Sequence, residues 1–210
     1  MGQTLKDNLK QLIIDSAIND LYENGVAGAS MRRIASDANM TVGNLYRYFK
    51  NKDELVNYII EPVIEKIRNV LLKHTNQSFD LNDYHFDISE MTYDQLLNIF
   101  DDIAFELCQL YSQHRRVFII VLKSHTINNL FLDWVVKIIH NYIRTLFTDG
   151  EPDEKQIEHL SRMFAVSLFA GIIDIFLNND LDVEGIEQVL KTFFRVTLVV
   201  ANTNFSEWGA

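Results

Sequence analysis

Within five residues, Gly43 to Arg47, the chain places an amide, a phenol and a guanidinium beside a residue with no side chain. Arg47 and Asn44 can donate to phosphate oxygens or to base edges, and Tyr46 carries its hydroxyl on a rigid ring suited to a phosphate. Gly43 lets a backbone approach a large ligand closely. Lys52 follows, beside a helix start that itself attracts phosphate. This is chemistry for a nucleic acid. The competing reading is a plain three-helix bundle whose basic residues are merely solvated.

Chemistry of other kinds lacks its usual spacing. The six histidines (His74, His85, His114, His125, His140, His159) form no His-Glu-x-x-His pattern, and one cysteine cannot make a Cys-x-x-Cys pair. There is no phosphate-binding glycine loop and no Gly-x-Ser-x-Gly elbow. Asp101 and Asp102 fall on different sides of a helix. Neither an enzyme nor a metal or cofactor is expected. Cys108 reads as a small buried apolar residue rather than a reactive thiol.

Three short helices must position the polar cluster. Leu9, Leu12, Ile13, Ser16, Ala17, Asp20 and Leu21 recur at helical spacing, predicting a helix over about Lys6–Asn24 with Gly25 as a left-handed C-cap. Ser30 stands where an N-cap belongs, ahead of the stripe Met31, Ile34, Ala35 and Ala38. Asn39 suits the positive φ of a tight turn. Thr41 caps a third helix, about Val42–Phe49, with Val42, Leu45 and Phe49 inward and Gly43, Asn44 and Arg47 outward. Asn51 with Glu54 resembles a capping box for a fourth. Two short helices joined by a short turn are the geometry of a helix-turn-helix, whose second helix enters the major groove.

Three runs, Leu12–Ala17 continuing to Glu23–Val26, Ser30–Ala35, and Thr41–Leu55, closely resemble the DNA-binding domain of the tetracycline-repressor (TetR) family. The resemblance implies an all-α protein, with residues 1–50 as the helix-turn-helix domain and 51–210 as a larger helical effector-binding and dimerisation domain. It implies DNA contacts from Thr41, Gly43, Asn44, Tyr46, Arg47 and Lys52, with Arg32 or Arg33 near the backbone. Two residues depart from the pattern: Val42 stands where the family often has lysine, and Asn44 where a small hydroxyl residue is common. The implied function is a ligand-responsive transcriptional regulator, a repressor released from an inverted-repeat operator on double-stranded DNA by a small-molecule effector. An interaction protein with a vestigial DNA domain is the alternative.

Beyond residue 52 the periodicity predicts a connector helix to about His74, kinked near Ile59 by Pro62, and a loop or insertion over Asn76–Met91. Thr92 with Gln95 opens a helix to about His114. Further helices are expected over about Arg116–Ser124, Asn129–Phe147, Asp153–Asn178, with Pro152 suited to its first turn, and Val183–Ala201. Phe164, Leu168, Gly171, Ile172 and Ile175 share helical spacing, as do Leu190, Phe193, Phe194, Thr197, Leu198 and Ala201. An intramolecular core fits these stripes equally well; the family resemblance implies that they form a homodimer interface. It also implies a pocket, for which Phe100, Phe105, Phe118, Trp134, Ile138 and Phe169 are candidates, though each taken singly reads first as ordinary core.

Composition agrees with a globular protein, at 48% hydrophobic and 23% charged residues. The net charge of −10 argues against a nucleic-acid partner until its distribution is read. Residues 1–52 hold seven basic against five acidic residues, and residues 53–210 hold 12 against 24. Local charge, not the total, meets phosphates. The acidic remainder favours an apolar or cationic effector over an anionic one. The longest stretches free of Asp, Glu, Lys and Arg, Met163–Ile173 and Val196–Ser206, are 11 residues each, against about 20 for a membrane span. With no apolar leader in Met1–Lys10, a cytoplasmic protein is expected.

Overall fold

The computed structural model describes residues 2–75, 93–146, 153–178 and 180–202. Among them every regular element is a helix: α1 (Gly2–Gly28), α2 (Met31–Asp37), α3 (Val42–Leu45), α4 (Lys52–Thr75), α5 (Tyr93–Lys123), α6 (His125–Leu146), α7 (Glu154–Leu177) and α8 (Val183–Asn202). The all-α expectation is met. The expected loop over Asn76–Met91, the Thr92 cap and Pro152 lie outside the described residues. The chain forms two compact units, residues 1–66 with 113–126, and residues 67–112 with 127–210.

In the first unit, Ile13, Ala17 and Leu21 of α1 are buried at successive turns, together with Ile34 and Ala35 of α2 and Leu45 of α3. Leu12 does not join them: it is half exposed, one position off the buried stripe. Gly25 takes the expected positive φ, but its ψ of 172° is extended rather than left-handed helical, so α1 kinks there and resumes to Gly28. Ser30 occupies the N-cap of α2 with extended backbone, yet its side chain makes no capping bond. The cap comes from α1 instead: Ser30 N donates to Asp20 Oδ2 at 2.7 Å.

Asn39 holds φ 53° in the turn that follows. Thr41 Oγ1 then accepts from Asn44 N at 3.2 Å, as its N-cap position predicts. α3 is shorter than the expected Val42–Phe49 because i→i−3 bonds, Arg47 N to Asn44 O and Tyr48 N to Leu45 O, tighten the chain after Leu45. At the start of α4, Asn51 Oδ1 accepts from Glu54 N, while Glu54 Oε2 accepts from Lys50 N rather than from Asn51. α4 continues as one helix through Pro62.

The second unit is built on Ile103, Ala104, Leu107, Cys108 and Tyr111 of α5, Phe176 of α7, and Ile186, Leu190 and Phe194 of α8, all buried. Tyr111 packs on Phe176 with ring centroids 5.2 Å apart, and Phe100 on Phe194 at 4.9 Å. Burial pushes the Cys108 thiol up to about 12, so it packs as a small apolar residue. Asp153 and Gln156 form a reciprocal capping box at the start of α7.

Asp20 is 4% exposed and carries more than one bond. Besides Ser30 N it accepts from Arg33 Nε at 2.7 Å and from Asn24 Nδ2 at 2.9 Å. Burial pushes its carboxyl upward, but the bonds from Arg33, Ser30 and Asn24 outweigh that and hold it below the ordinary carboxylate value. The stabilisation is therefore complete above the ordinary value and is lost as pH falls through the lower folded one. Asp20→Ala is expected to cost about 3 kcal/mol in urea denaturation at pH 7, because it strands Ser30 N and leaves the Arg33 guanidinium without its carboxylate. The gap between variant and wild type should shrink as pH drops below the ordinary carboxylate value; a constant gap would mean that the charge is not what stabilises.

Candidate nucleic-acid interface

The segment from Asn39 to Arg47 forms one wall of a cleft of about 650 Å³, lined by Asn39, Met40, Thr41, Gly43, Asn44 and Arg47 with Leu9 of α1. Leu45 is fully buried beneath it and anchors the short helix, so residues on either side of Leu45 must turn outward. Thr41, Gly43, Tyr46 and Arg47 are exposed, and Asn44 is half-buried. Tyr46 in particular keeps 47% of its surface despite its aromatic ring. The cleft thus gathers four of the predicted DNA-contact residues, Thr41, Gly43, Asn44 and Arg47, with Tyr46 standing beside them.

Gly43 is informative because the fold does not require it. A Cβ built there meets nothing within 4 Å. A side chain there would meet only what approaches from outside. Asn39 is the opposite case: its positive φ sets the turn that aims α3, a conformation that other L residues adopt at a cost of about 1–2 kcal/mol.

Three of the predicted basic residues differ in how free they are. Arg32 is exposed. Arg33 is bonded to Asp20 and also donates from a terminal nitrogen to Gly28 O at 2.6 Å. Asp20 raises the Arg33 guanidinium still further, so it stays a cation. Lys52 Nζ donates to Val26 O at 2.9 Å and to the carbonyls of Ala27 and Ala29 at 3.3 and 3.4 Å. It therefore covers the carbonyl end of α1, a favourable place for a cation. Arg33 and Lys52 hold the domain together through these bonds, whatever else they touch.

Residues that sequence reasoning passed over join them. Lys10 Nζ lies 4.0 Å from the centre of the Tyr58 ring and 5.7 Å from that of Phe49. Arg116 donates to Asn19 Oδ1 of α1 and lies over the Tyr22 ring. Neither contact leaves a local signal, since the partners are separated by 39 to 97 positions in the chain.

The proposed effector residues do not form one group. Phe118 is buried in the first unit, whereas Phe100, Phe105, Ile138 and Phe169 belong to the second. Phe105 is 47% exposed, Phe100, Ile138 and Phe169 are half-buried, and the Trp134 side chain lies outside the described residues. Asp101, beside Phe100, pairs through Oδ2 with Arg195 at 2.6 Å, while its Oδ1 is buried without a partner among the described residues.

The predicted interface stripes divide as well. Leu190 and Phe194 are buried within the chain itself. Gly171 is used within the chain too: a Cβ there would lie 2.5 Å from Phe193 Cζ, so glycine lets α7 pack on α8. Leu168, Ile172, Ile175, Thr197 and Leu198 are half-buried, and the Ala201 side chain lies outside the described residues. Phe164 is exposed, accompanied by Met163 and Val166 of α7 and Val189 and Val196 of α8. α7 is long and apolar enough to cross a membrane by length and composition, and only 17% of its apolar window is buried within the chain.

Comparison with known proteins places this geometry. Residues 13–59 match the family model described as bacterial regulatory proteins, tetR family. Two HTH-type transcriptional regulators of Staphylococcus aureus, from strains USA300 and NCTC 8325, are each 33% identical over 99 residues, 46% of this chain and 50% of theirs. The chain thus spans about half the length of the curated relatives it matches. A TetR-like transcriptional regulator from Rhodococcus sp. RHA1 has the same fold, with a TM-score of 0.55 at 15% identity over 91% of this chain and 96% of that one. The segment that carries the Thr41–Arg47 cleft is thus similar to the DNA-binding region of the tetR family of bacterial regulatory proteins.

Proposed function

We propose that the protein is a cytoplasmic homodimeric regulator of transcription that binds an inverted-repeat operator and, as a repressor, is released from it by a small-molecule effector. Residues 1–50 carry the DNA contacts and residues 51–210 the dimerisation and effector functions. The observation that carries the reading is the exposed cluster of Thr41, Gly43, Asn44, Tyr46 and Arg47 over the buried Leu45, inside a tetR-family domain. Arg32 adds an exposed cation on α2. Arg33 and Lys52 act chiefly by holding α1, α2 and α4 in place.

The dimer surface is read from exposure. Met163, Phe164, Val166, Val189 and Val196 leave large apolar groups in water on α7 and α8. A second copy covers them better than a membrane does, because Glu158, Arg162 and Asp174 interrupt α7. Leu190, Phe194 and Gly171 support that surface from behind. The effector is apolar or cationic: the second unit is aromatic and acidic, and Asp101 Oδ1 offers a buried acceptor that an N–H or ammonium group would satisfy.

Three outcomes test the reading. Selection from a random duplex library should enrich an inverted repeat with wild type but not with Arg47→Ala, and affinity should fall with salt at a log–log slope of about −0.9 per phosphate neutralised; no enrichment at low salt would favour an interaction protein. Gly43→Ala should keep or slightly raise the melting temperature while lowering operator affinity about tenfold, since its Cβ is free in the fold but faces the DNA. Met163→Asp with Phe164→Asp should yield a helical monomer by analytical ultracentrifugation; an unchanged dimer would place the interface elsewhere.

A further inference from the structure

α5 is helical over Tyr93–Lys123 except at His114, whose φ of −130° and ψ of 32° leave helical space. The break falls where the chain passes from one compact unit to the other, since residues 113–126 group with residues 1–66. On α4 the same boundary falls at Lys66. Lys66 Nζ and His114 Nε2 are 2.6 Å apart. An ammonium only donates, so Nε2 must offer its lone pair and the imidazole must be neutral, with its proton on Nδ1.

Beyond the break, Phe118, Ile120 and Val121 are buried. Arg116 donates to Asn19 Oδ1, and Arg116 and Lys123 each lie 5.7 Å from the Tyr22 ring. These contacts seat the piece on α1, the helix whose Asp20 caps α2. We propose that the Lys66–His114 pair is a proton-released latch: it holds residues 115–123 on α1 and thereby positions the helix-turn-helix for DNA.

Protonation of Nε2 replaces the acceptor with a donor and sets two cations at hydrogen-bond distance, so the pair separates. Burial, and then the charge of Lys66, hold His114 below its ordinary value of 6.5. The contribution is therefore complete above pH 6.5 and is lost as pH falls through the lower folded value. On α4 the facing charge is Lys66; on α5 Arg115 and Arg116 follow His114, the latter turned to Asn19 and Tyr22 of α1. Among the described residues no carboxylate contributes to the shift. His74, also on α4, differs: it meets Glu106 Oε1 at 2.8 Å and keeps that partner when charged.

The positioning step rests on the DNA-binding reading; the latch does not. The test uses the full-length protein and two readouts, protection factors of amides 115–123 by hydrogen exchange and affinity for the selected operator, at pH 7.5 and 5.5. Wild type should lose protection and affinity on acidification, by at most about tenfold per pH unit for one proton. His114→Gln, which keeps an acceptor and cannot titrate, should hold both nearly constant. Lys66→Met should also blunt the acid response and raise the His114 midpoint in an NMR titration, while His74→Gln should behave as wild type. Equal acid losses in wild type and His114→Gln would overturn the latch, and an exchange response without an affinity response would overturn the positioning role. Absence of DNA binding at every pH, with the exchange response intact, would support the latch and refute the regulator reading.

Discussion

A carboxylate that is 4% exposed needs partners for its lone pairs, and Asp20 finds them on three different stretches of chain. Its acceptor geometry ties Asn24 one turn along α1, the backbone N–H at the start of α2, and the Arg33 guanidinium on α2 itself. The angle between α1 and α2 is thereby fixed by directional bonds as well as by the packing of Ile13, Leu21 and Ile34. Apolar packing alone tolerates small rotations at modest cost, whereas a two-oxygen acceptor shared by three donors does not. The placement of α3 depends on that angle, because only the turn over Ala38–Thr41 separates it from α2. Lys52 completes the frame from the other side, drawing the start of α4 onto the last carbonyls of α1.

This arrangement explains which parts of the domain were legible in sequence. Thr41 caps as expected because capping is local: its hydroxyl reaches a backbone N–H three residues away. Asn39 takes its positive φ for the same reason. Ser30 looked identical by type and position, yet its N–H is claimed by a residue ten positions earlier, a choice no local rule encodes. Arg33 and Lys52 look like DNA-facing cations in the sequence, and their partners lie 13 and 26 positions away. Cationic type alone does not distinguish a residue facing phosphate from one capping a helix, since both sites want positive charge.

In the second unit the same limit applies to apolar stripes. Helical spacing shows that Phe164, Leu168, Gly171, Leu190 and Phe194 sit on defined faces, but every amphipathic helix has such a face, and spacing does not say whether a neighbouring helix or a neighbouring molecule covers it. The close approach of Phe193 to Gly171 answers it at one position: there α7 packs on α8. What stays in water is the adjoining set around Met163 and Val196, residues that the stripe reading passed over because it followed the more regular face. The break at His114 was legible only as the gap between two expected helices; its contact with Lys66, 48 positions away, was not.

α4 and α5 each contribute residues to both compact units. Each is held as a helix by its ladder of backbone bonds, and in each that ladder is interrupted once. Pro62 removes one such bond from α4 without ending the helix, and His114 interrupts α5 outright. The second interruption therefore has the greater freedom to absorb motion. Its fixed geometry needs a polar contact that opposes relaxation into straight helix, and the Lys66 ammonium provides one by engaging the His114 ring.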